Sequence, residues 1–334
     1  MSNYLNEIKK RIIEHKKKCV NYRIFLETKG ININSLKSLE RVPFIHINMF
    51  KEYELKSIKK DEVVLELNSS GTSGNKSRIF LDKKNALDQK KYLQKILQQE
   101  FGEKRFPFLI LGQNPIHIND RNKISAQIAA FLGFSLIGKN FFYIKNKKNE
   151  IDYDGLNEFL KNYHNREFII FGFTSNVYDI LLKNLDKKKI KFPFSNSKIV
   201  HGGGWKKLSD LGITNNDLKL DILKKFKIKH VINYFGFVEQ TGSIFLECPK
   251  GNFHTNQVSD IFVRDENLEL SKIYDEGILQ CISIVPSSYP GNSVLLEDKA
   301  IYKGKNCGCG KPGKIFSIVG RLNKVEIRGC SDIS

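Results

Sequence analysis

Glycines and hydroxyl side chains are concentrated in one segment of the chain, residues 68–78, with the sequence NSSGTSGNKSR. Glycine lets a backbone curl closely around an anion, and successive N–H groups, hydroxyls and a lysine can then donate to phosphate oxygens. The alternative is a solvated hairpin loop, which has no need of so many hydroxyls beside two glycines. The segment therefore predicts a phosphate-binding loop. Its expected phosphate-binding residues are Ser69, Ser70, Gly71, Thr72, Gly74 and Lys76.

This loop differs from a Walker loop, in which the lysine follows a glycine directly and a helix begins. Here Asn75 separates Gly74 from Lys76, and strand-like runs stand on both sides, VVLEL at 63–67 and RIFLD at 78–82. The spacing therefore predicts a phosphate-binding loop that connects two strands.

Cysteine and histidine recur in two short stretches, Cys248 with His254 and Cys307 with Cys309. Thiolate and imidazole are the ligands of closed tetrahedral zinc sites, and Gly308 permits a tight turn between the last two cysteines. Four unrelated residues are the alternative, because Cys-x-Cys spacing is less diagnostic than Cys-x-x-Cys. The pattern predicts a structural Zn²⁺ site.

The elements that must position these residues alternate between strands and helices. This alternation predicts an α/β fold with a largely parallel sheet, in which ligands bind beyond the carboxyl ends of the strands. Several strands do end in glycine or small polar residues, although glycine also simply terminates elements. The strands are expected at 63–67, 78–82, 107–112, 167–173, 197–204 and 230–236, and the helices at 3–28, 84–100, 124–134, 175–185 and 215–226.

After Phe245 the helical periodicity disappears, and short strands with turns replace it. We therefore expect an α/β core over residues 1–245, a smaller β-rich portion over 246–329 that carries the zinc site, and a tail over 330–334.

The formal net charge of the 334-residue chain is +19. A polyanionic partner is one interpretation, and compositional drift is the other, which the scattered lysines favour. No interleaved basic and aromatic patch is present, so no nucleic-acid partner is expected. No secretory signal and no membrane-spanning run is visible, which predicts a cytoplasmic protein with reduced cysteines. Cys19 and Cys281 lie in apolar stretches and are expected to be buried.

Five segments in order resemble the adenylate-forming enzymes, the acyl and aryl ligases. They are SSGTSGNKS (69–77), HGGGWKKL (201–208), NYFGFVEQTG (233–242), SSYPGNSVLLEDKA (287–300) and GRLNKVEIRG (320–329). Within this superfamily the sequence is most similar to the acyl-protein synthetases of bacterial bioluminescence, the fatty-acid ligase component of the fatty acid reductase complex. The phenylacetate–coenzyme A ligases are the next relatives.

The resemblance implies roles for individual residues. Glu239 would bind Mg²⁺, a hard ion that takes oxygen ligands, and Asp298 would accept hydrogen bonds from the ribose of ATP. Arg321 would reach the ribose or a phosphate, while Thr72 and Lys76 would act on the reacting phosphates. Without the resemblance, the two acids could be ordinary surface or turn residues and the arginine a solvated side chain. The other residues expected to contact the nucleotide are Gly202, Gly203, Gly204, Tyr234 and Gly236.

The resemblance also bears on the acid and on the acyl acceptor. Phe171, Phe173 and Thr174 are candidates for the acyl pocket, with ordinary core packing as the alternative for the aromatic residues. Cys330 would accept the acyl group, as a cysteine near the carboxyl terminus does in this family; an idle terminal thiol is the alternative. The chain stops just past the hinge-like segment, so the typical C-terminal lid domain and its lysine are expected to be absent.

Three functions compete at this point. The first is ATP-dependent activation of a carboxylic acid, a fatty acid by the resemblance, followed by acyl transfer to a protein thiol and then to a reductase partner. The second shares the adenylation step but loads coenzyme A or an acyl carrier protein, for example in polysaccharide modification. The third is a non-catalytic nucleotide-binding or nucleic-acid-binding module. The intact acidic and basic site residues argue against the third.

Overall fold

The computed structural model of the chain describes residues 2–69, 76–114, 126–203 and 211–322. The chain forms two compact units. The first unit combines residues 1–93 with residues 236–334, and the second comprises residues 94–235. The sequence patterns divide the chain into the consecutive segments 1–245, 246–329 and 330–334. That division stays a prediction. Within the described ranges, no helix is long and apolar enough to cross a membrane.

The secondary structure consists of helices and short strands in mixed order. The helices are α1 (Ser2–Lys18), α2 (Val20–Thr28), α3 (Met49–Glu52), α4 (Lys83–Phe101), α5 (Ala126–Phe134), α6 (Tyr153–Tyr163), α7 (Thr174–Asn176), which continues as a π-helix (Val177–Asn184), and α8 (Asn215–Phe226). The strands are β1 (Ile45–His46), β2 (Leu65–Asn68), β3 (Arg78–Leu81), β4 (Phe106–Gln113), β5 (Gly138–Lys145), β6 (Phe168–Phe173), β7 (Ser197–Gly202), β8 (His230–Phe235), β9 (Phe245–Leu246), β10 (Phe253–His254), β11 (Ser259–Arg264), β12 (Glu276–Ser283), β13 (Ser293–Tyr302) and β14 (Ile315–Arg321). Short 3₁₀ turns lie at Ile33–Ser35, Leu39–Arg41, Lys60–Glu62, Ser135–Ile137, Lys187–Lys189 and Val238–Gln240.

The second unit is built on strands that run parallel in the order β5-β4-β6-β7-β8. Strands β4 and β6 are nearly continuous buried runs, which is typical of parallel strands covered on both faces. Because these strands are parallel, their carboxyl ends lie along one edge, where such sheets bind ligands. The expectation of a largely parallel α/β sheet is confirmed.

Helices of the second unit bury one face each against this sheet. Helix α8 begins with a capping box, in which the side chains of Thr214 and Asp217 each accept a hydrogen bond from the other's backbone N–H. Leu218 and Ile222 lie four residues apart on the same face, and both are buried in the apolar core of the unit.

The first unit contains an antiparallel sheet in the order β10-β14-β13-β12-β11, with β1 added parallel to β13. Cys281, Val294 and Phe316 are fully buried in it. Helix α1 is attached to this sheet by the hydroxyl of Tyr4, which donates to the carbonyl oxygen of Val258 at 3.0 Å. The β-rich character expected after Phe245 is confirmed.

Strands β2 and β3 form an antiparallel hairpin in the same unit, with Asn68 opposite Arg78. The base of the connecting loop is closed by two hydrogen bonds. The backbone N–H of Ser69 donates to the carbonyl oxygen of Ser77 at 3.1 Å, and the backbone N–H of Ser77 donates to the Ser69 hydroxyl at 3.0 Å. The hydroxyl-rich loop therefore connects two strands, as its flanking sequences predict.

The remaining differences from the sequence expectations are local. The helix expected over 3–28 is divided, because Cys19 adopts an extended conformation (φ −106°, ψ 109°) between α1 and α2. The helix expected over 175–185 is mostly a π-helix. No sequence prediction covers β5 or α6; β5 has an irregular burial pattern that follows no simple alternation.

Candidate active site and cysteine–histidine cluster

The end of the hydroxyl-rich loop lies beside a buried carboxylate. Ser77 is fully buried, and its hydroxyl makes no hydrogen bond of normal length within the part of the chain that the structure describes. It nevertheless lies close enough to Glu239 to favour the charged form of that carboxyl. Lys76 is exposed beside it. Four predicted phosphate-binding residues lie outside the described residues: Ser70, Gly71, Thr72 and Gly74.

Glu239 lies in the 3₁₀ turn Val238–Gln240, and only 2% of the residue is exposed. Burial raises the pKa of its carboxyl, while Ser77, Lys51 and Arg321 act in the opposite direction and favour the carboxylate. No described side chain forms a salt bridge with it. A buried carboxylate is costly unless a cation and hydrogen-bond donors compensate its charge. The role of Glu239 as a magnesium ligand stays a prediction.

Asp298 and Arg321 face each other across β13 and β14. The Nε atom of Arg321 donates to the Oδ1 atom of Asp298 at 3.4 Å; the arginine side chain is 60% exposed and that of Asp298 only 14%. Burial raises the pKa of the Asp298 carboxyl, and Arg321 partly offsets this rise. The arginine end of this ion pair is exposed and the contact is long, so the pair contributes little to stability.

The structure adds two residues that the sequence analysis missed, Asn48 and Lys51. The Nδ2 atom of Asn48 donates to Glu297 Oε1 at 2.8 Å, and the Nζ atom of Lys51 donates to Asn48 Oδ1 at 2.6 Å. Strand β1 is only two residues long, and its partner strand is almost 250 residues away, so no sequence pattern indicated this contact. We call the three acids Glu239, Glu297 and Asp298 the carboxylate edge.

The glycines of HGGGW lie at the carboxyl end of β7, in the second unit. Gly202 pairs with Tyr234, and a Cβ atom on Gly202 would approach the Tyr234 carbonyl oxygen to 2.6 Å. Gly203 has a positive φ of 61°, which glycine adopts without strain. Gly204 lies outside the described residues. Gly236, which follows β8, belongs to the first unit.

Aromatic packing surrounds Tyr234 within the second unit. Its ring lies 4.9 Å from that of Phe134 and 6.3 Å from that of Phe171 (centroid distances), and burial raises the pKa of its hydroxyl. Phe171 is almost fully buried, whereas Phe173 is half-buried. These residues form a packed aromatic cluster at the carboxyl ends of the strands. The acyl-pocket role of Phe171 and Phe173 stays a prediction.

Thr174 and His201 form a buried pair beside the glycines. The Oγ1 atom of Thr174 lies 3.0 Å from Nδ1 of His201, and neither residue is exposed. Burial lowers the pKa of His201 to about 3, so its ring is neutral at physiological pH.

Four soft ligands converge in the first unit, and we call them the cysteine–histidine cluster. Cys307 Sγ lies 3.9 Å from Cys248 Sγ and 3.3 Å from His254 Nε2, and Cys309 Sγ lies 3.4 Å from the same nitrogen. The four ligand atoms all lie within 4.8 Å of one another. Ligands at the corners of a tetrahedron around Zn²⁺ are separated by about 3.5–3.8 Å, given metal–ligand distances of about 2.0–2.3 Å.

A backbone contact orients the histidine of this cluster. The Nδ1 atom of His254 lies 3.1 Å from the carbonyl oxygen of Pro312, which favours the tautomer that leaves Nε2 free to face the sulfurs. Cys248 and His254 are buried, as closed structural metal sites require. Cys19 and Cys281 are buried free thiols, as expected. Cys330 lies outside the described residues.

Comparison with known proteins gives two sequence matches. A sequence model of the family described as "Acyl-protein synthetase, LuxE" matches residues 3–334. The long-chain-fatty-acid–luciferin-component ligase of Aliivibrio fischeri is 22% identical over 329 residues, which cover 95% of this chain and 82% of the relative.

Solved structures show the same fold. An open conformation of 2-hydroxyisobutyryl-CoA ligase in complex with 2-HIB-AMP and CoA has a TM-score of 0.74 at 14% identity, covering 96% of this chain and 69% of the ligase. ATP-bound MatB from Rhodopseudomonas palustris has a TM-score of 0.51 at 13% identity, covering 79% of this chain and 49% of MatB. At these identities the likeness concerns the fold alone.

Proposed function

Because this chain belongs to the LuxE acyl-protein synthetase family, we propose that it activates a carboxylic acid with ATP, forming an acyl-adenylate and pyrophosphate. One observation carries the proposal. Glu239, a buried carboxylate with no salt bridge to a described residue, lies beside the end of the hydroxyl-rich loop at Ser77, and the charge of Arg321 acts on both Glu239 and Asp298. A bound Mg²⁺ ion would compensate the carboxylate of Glu239, and an anionic triphosphate would complement the guanidinium of Arg321.

In the reaction, an oxygen of the substrate carboxylate attacks the α-phosphorus of ATP, and the bond to the bridging oxygen of pyrophosphate breaks. The protein contributes positioning and charge compensation. The proposed phosphate ligands are the loop residues, with Ser77 Oγ as an additional donor. Glu239 would hold Mg²⁺, which neutralises phosphate charge when bound. Asp298 would accept hydrogen bonds from the ribose hydroxyls, and Arg321 would exchange its contact with Asp298 for a nucleotide oxygen.

The remaining nucleotide contacts are proposed from the family resemblance. Glycine at position 202 leaves the space in front of Tyr234 open, where any side chain would collide with the strand. The residues proposed for the adenine side are Gly202, Gly203, Gly204, Tyr234 and Gly236.

The second step would transfer the acyl group to a protein thiol. The thiolate attacks the carbonyl carbon of the acyl-adenylate, a thioester forms, and AMP leaves. Cys330 is the proposed acceptor, and a reductase or an acyl carrier protein is the proposed downstream partner. A long-chain fatty acid is the proposed substrate, because the Aliivibrio fischeri relative is named for one.

The cysteine–histidine cluster is proposed to hold a structural Zn²⁺ ion. Its three thiolates and one imidazole would fill a tetrahedral coordination sphere and leave no open position for a substrate, so the ion would stabilise the fold and take no part in the chemistry.

Acid-dependent exchange of labelled pyrophosphate into ATP tests the proposed first step. The full chain is incubated with ATP, Mg²⁺ and a panel of carboxylic acids of increasing chain length. Exchange that depends on an acid and rises with chain length supports adenylation of fatty acids. Absence of exchange with every acid would favour the non-catalytic nucleotide-binding module.

Labelling with radioactive acid tests the second step. Acid that exchanges pyrophosphate should label the protein covalently in the presence of ATP, and Cys330→Ser should remove the label while exchange continues. Label that persists in Cys330→Ser, or that appears only on added coenzyme A, would overturn the assignment of Cys330 as acceptor.

A further inference from the structure

The backbone around Lys51 is anchored next to the carboxylate edge. Strand β1 pairs with β13 in parallel, and the backbone N–H of Ile47 donates to the carbonyl oxygen of Leu295 at 2.9 Å. The next turn, α3, is anchored by Phe50, which is buried and meets the ring of Tyr289 edge-on at 6.2 Å. The backbone of Lys51 is therefore fixed close to the segment that carries Glu297 and Asp298.

The ammonium group of Lys51 has unused donors at this place. Its described hydrogen bond is to Asn48 Oδ1 at 2.6 Å, and Asn48 in turn donates to Glu297. Among the residues described, no carboxylate lies within ion-pair distance of Nζ. An ammonium group has three N–H donors, so most of its hydrogen-bonding capacity is left for another anion.

The charge of Lys51 also acts on Glu239, whose carboxylate it favours. The ammonium is thus oriented by Asn48 and near two acids of the carboxylate edge, yet it pairs directly with neither. Lys51 is only half-exposed, so water screens its charge incompletely. Arg321 also acts on Glu239, but its side chain is mostly exposed.

We infer that Lys51 is a catalytic residue whose ammonium, oriented by Asn48, contacts the phosphate oxygens of bound ATP during adenylation. This inference rests on the proposed function and assigns a role to a residue of the amino-terminal segment. Asn48 is then a positioning residue, because it acts through Lys51 and Glu297.

Pyrophosphate exchange by full-length variants tests this role, with an acid that the wild-type protein accepts. Lys51→Met should lower kcat/KM for ATP by about 10²-fold, in the range seen when a transition-state donor is removed, while KM for the acid changes less than about twofold. Lys51→Arg should recover part of the loss, since the charge remains but its geometry differs. Lys60→Met, which removes an exposed lysine of the same segment, is the matched control and should behave as the wild type.

Further measurements distinguish direct contact of Lys51 with the phosphates from an orienting effect of Lys51 on Glu297. Asn48→Ala should cost less than Lys51→Met if Lys51 touches the phosphates, and as much or more if Lys51 merely helps orient Glu297. Thermal unfolding of each variant detects misfolding, and Lys51→Gln replaces Lys51→Met if the latter unfolds. Unchanged kcat/KM for ATP in a folded Lys51 variant overturns the inference and leaves the proposed function intact. If none of the acids tested supports pyrophosphate exchange by the wild type, the proposed function fails instead. In that case the inference is tested by binding of a fluorescent ATP analogue, and equal binding by wild type and Lys51→Met overturns it.

Discussion

The carboxylate edge and the cysteine–histidine cluster lie in the same unit but differ in the way their charges are compensated. In the cluster, four soft ligand atoms lie within 4.8 Å of one another, and the carbonyl oxygen of Pro312 orients the histidine. At the carboxylate edge, Glu239 is buried without a salt bridge to a described residue, and Arg321 reaches Asp298 only at 3.4 Å.

This difference teaches what each region is for. A closed set of soft ligands fits one ion permanently and contributes to folding. A buried acid with incomplete compensation costs stability, and such cost is tolerated where a ligand supplies the missing charge during function. Substitutions in the two regions should therefore change stability in opposite directions.

The largest effect is expected from Cys307→Ser. Loss of one of four ligands should abolish tight zinc binding and lower the free energy of unfolding by about 5 kcal/mol, a fraction of the binding free energy of structural zinc. Metal analysis and denaturant unfolding of the purified protein check this. Cys281→Ala, which removes a buried cysteine outside the cluster, should keep one equivalent of zinc. A wild-type protein without zinc would contradict the assignment of the cluster.

Glu239→Gln should show the opposite pattern. Pyrophosphate exchange should fall by about 10²–10³-fold, because an interaction that stabilises the reacting phosphates is lost. The free energy of unfolding should stay unchanged or rise, since a buried charge is removed and the side-chain volume is kept. Zinc content is the internal control and should not change. A variant that is both destabilised and active would place Glu239 with the structural residues.

A smaller effect is expected for Asp298→Asn. The substitution weakens charge-assisted hydrogen bonds to the ribose, which should raise KM for ATP about 10-fold with a smaller change in kcat. Steady-state kinetics with ATP as the varied substrate measure this. Asp275→Asn, in an exposed turn of the same unit, should leave KM at the wild-type value. Equal KM values for the two variants would remove the ribose role.

The smallest effect concerns His15, a buried residue of the first unit that belongs to neither region. Its protonation shows how much burial of a titratable side chain outside both regions changes the free energy of unfolding. Burial lowers its pKa to about 3, so the unfolded chain, with a pKa near 6.5, binds this proton more readily than the folded protein. The free energy of unfolding is therefore unaffected by His15 above pH 6.5, and it decreases as the pH falls from 6.5 towards 3. Between pH 7 and 5.5 the loss should be about 1 kcal/mol. Urea unfolding at both pH values should show a smaller loss in His15→Asn; an equal loss would contradict this account.

Sequence patterns predicted those parts of the molecule whose residues are close along the chain. The hairpin around the hydroxyl-rich loop and the apolar strand β6 follow from local composition, and the helix expected over 215–226 is α8. The cysteine–histidine cluster was predictable as two short-range pairs of candidate ligands, Cys248 with His254 and Cys307 with Cys309, although their spacing alone did not exclude four unrelated residues.

Contacts between distant segments were not predictable. Strand β1 has two residues, too few for any periodicity, and its pairing with β13 brings Asn48 to Glu297 across 249 positions. The antiparallel pairing that places Arg321 opposite Asp298 likewise depends on register, which one sequence does not reveal. Lys51 was therefore indistinguishable from the many scattered lysines until its surroundings were seen.

The most direct test of the central claim is pyrophosphate exchange measured side by side in wild type, Glu239→Gln and Cys281→Ala with an accepted fatty acid. The account predicts acid-dependent exchange in wild type and Cys281→Ala, and a loss of about 10²–10³-fold in Glu239→Gln with zinc and fold retained. Equal exchange in wild type and Glu239→Gln would contradict the assignment of the carboxylate edge as the adenylation site.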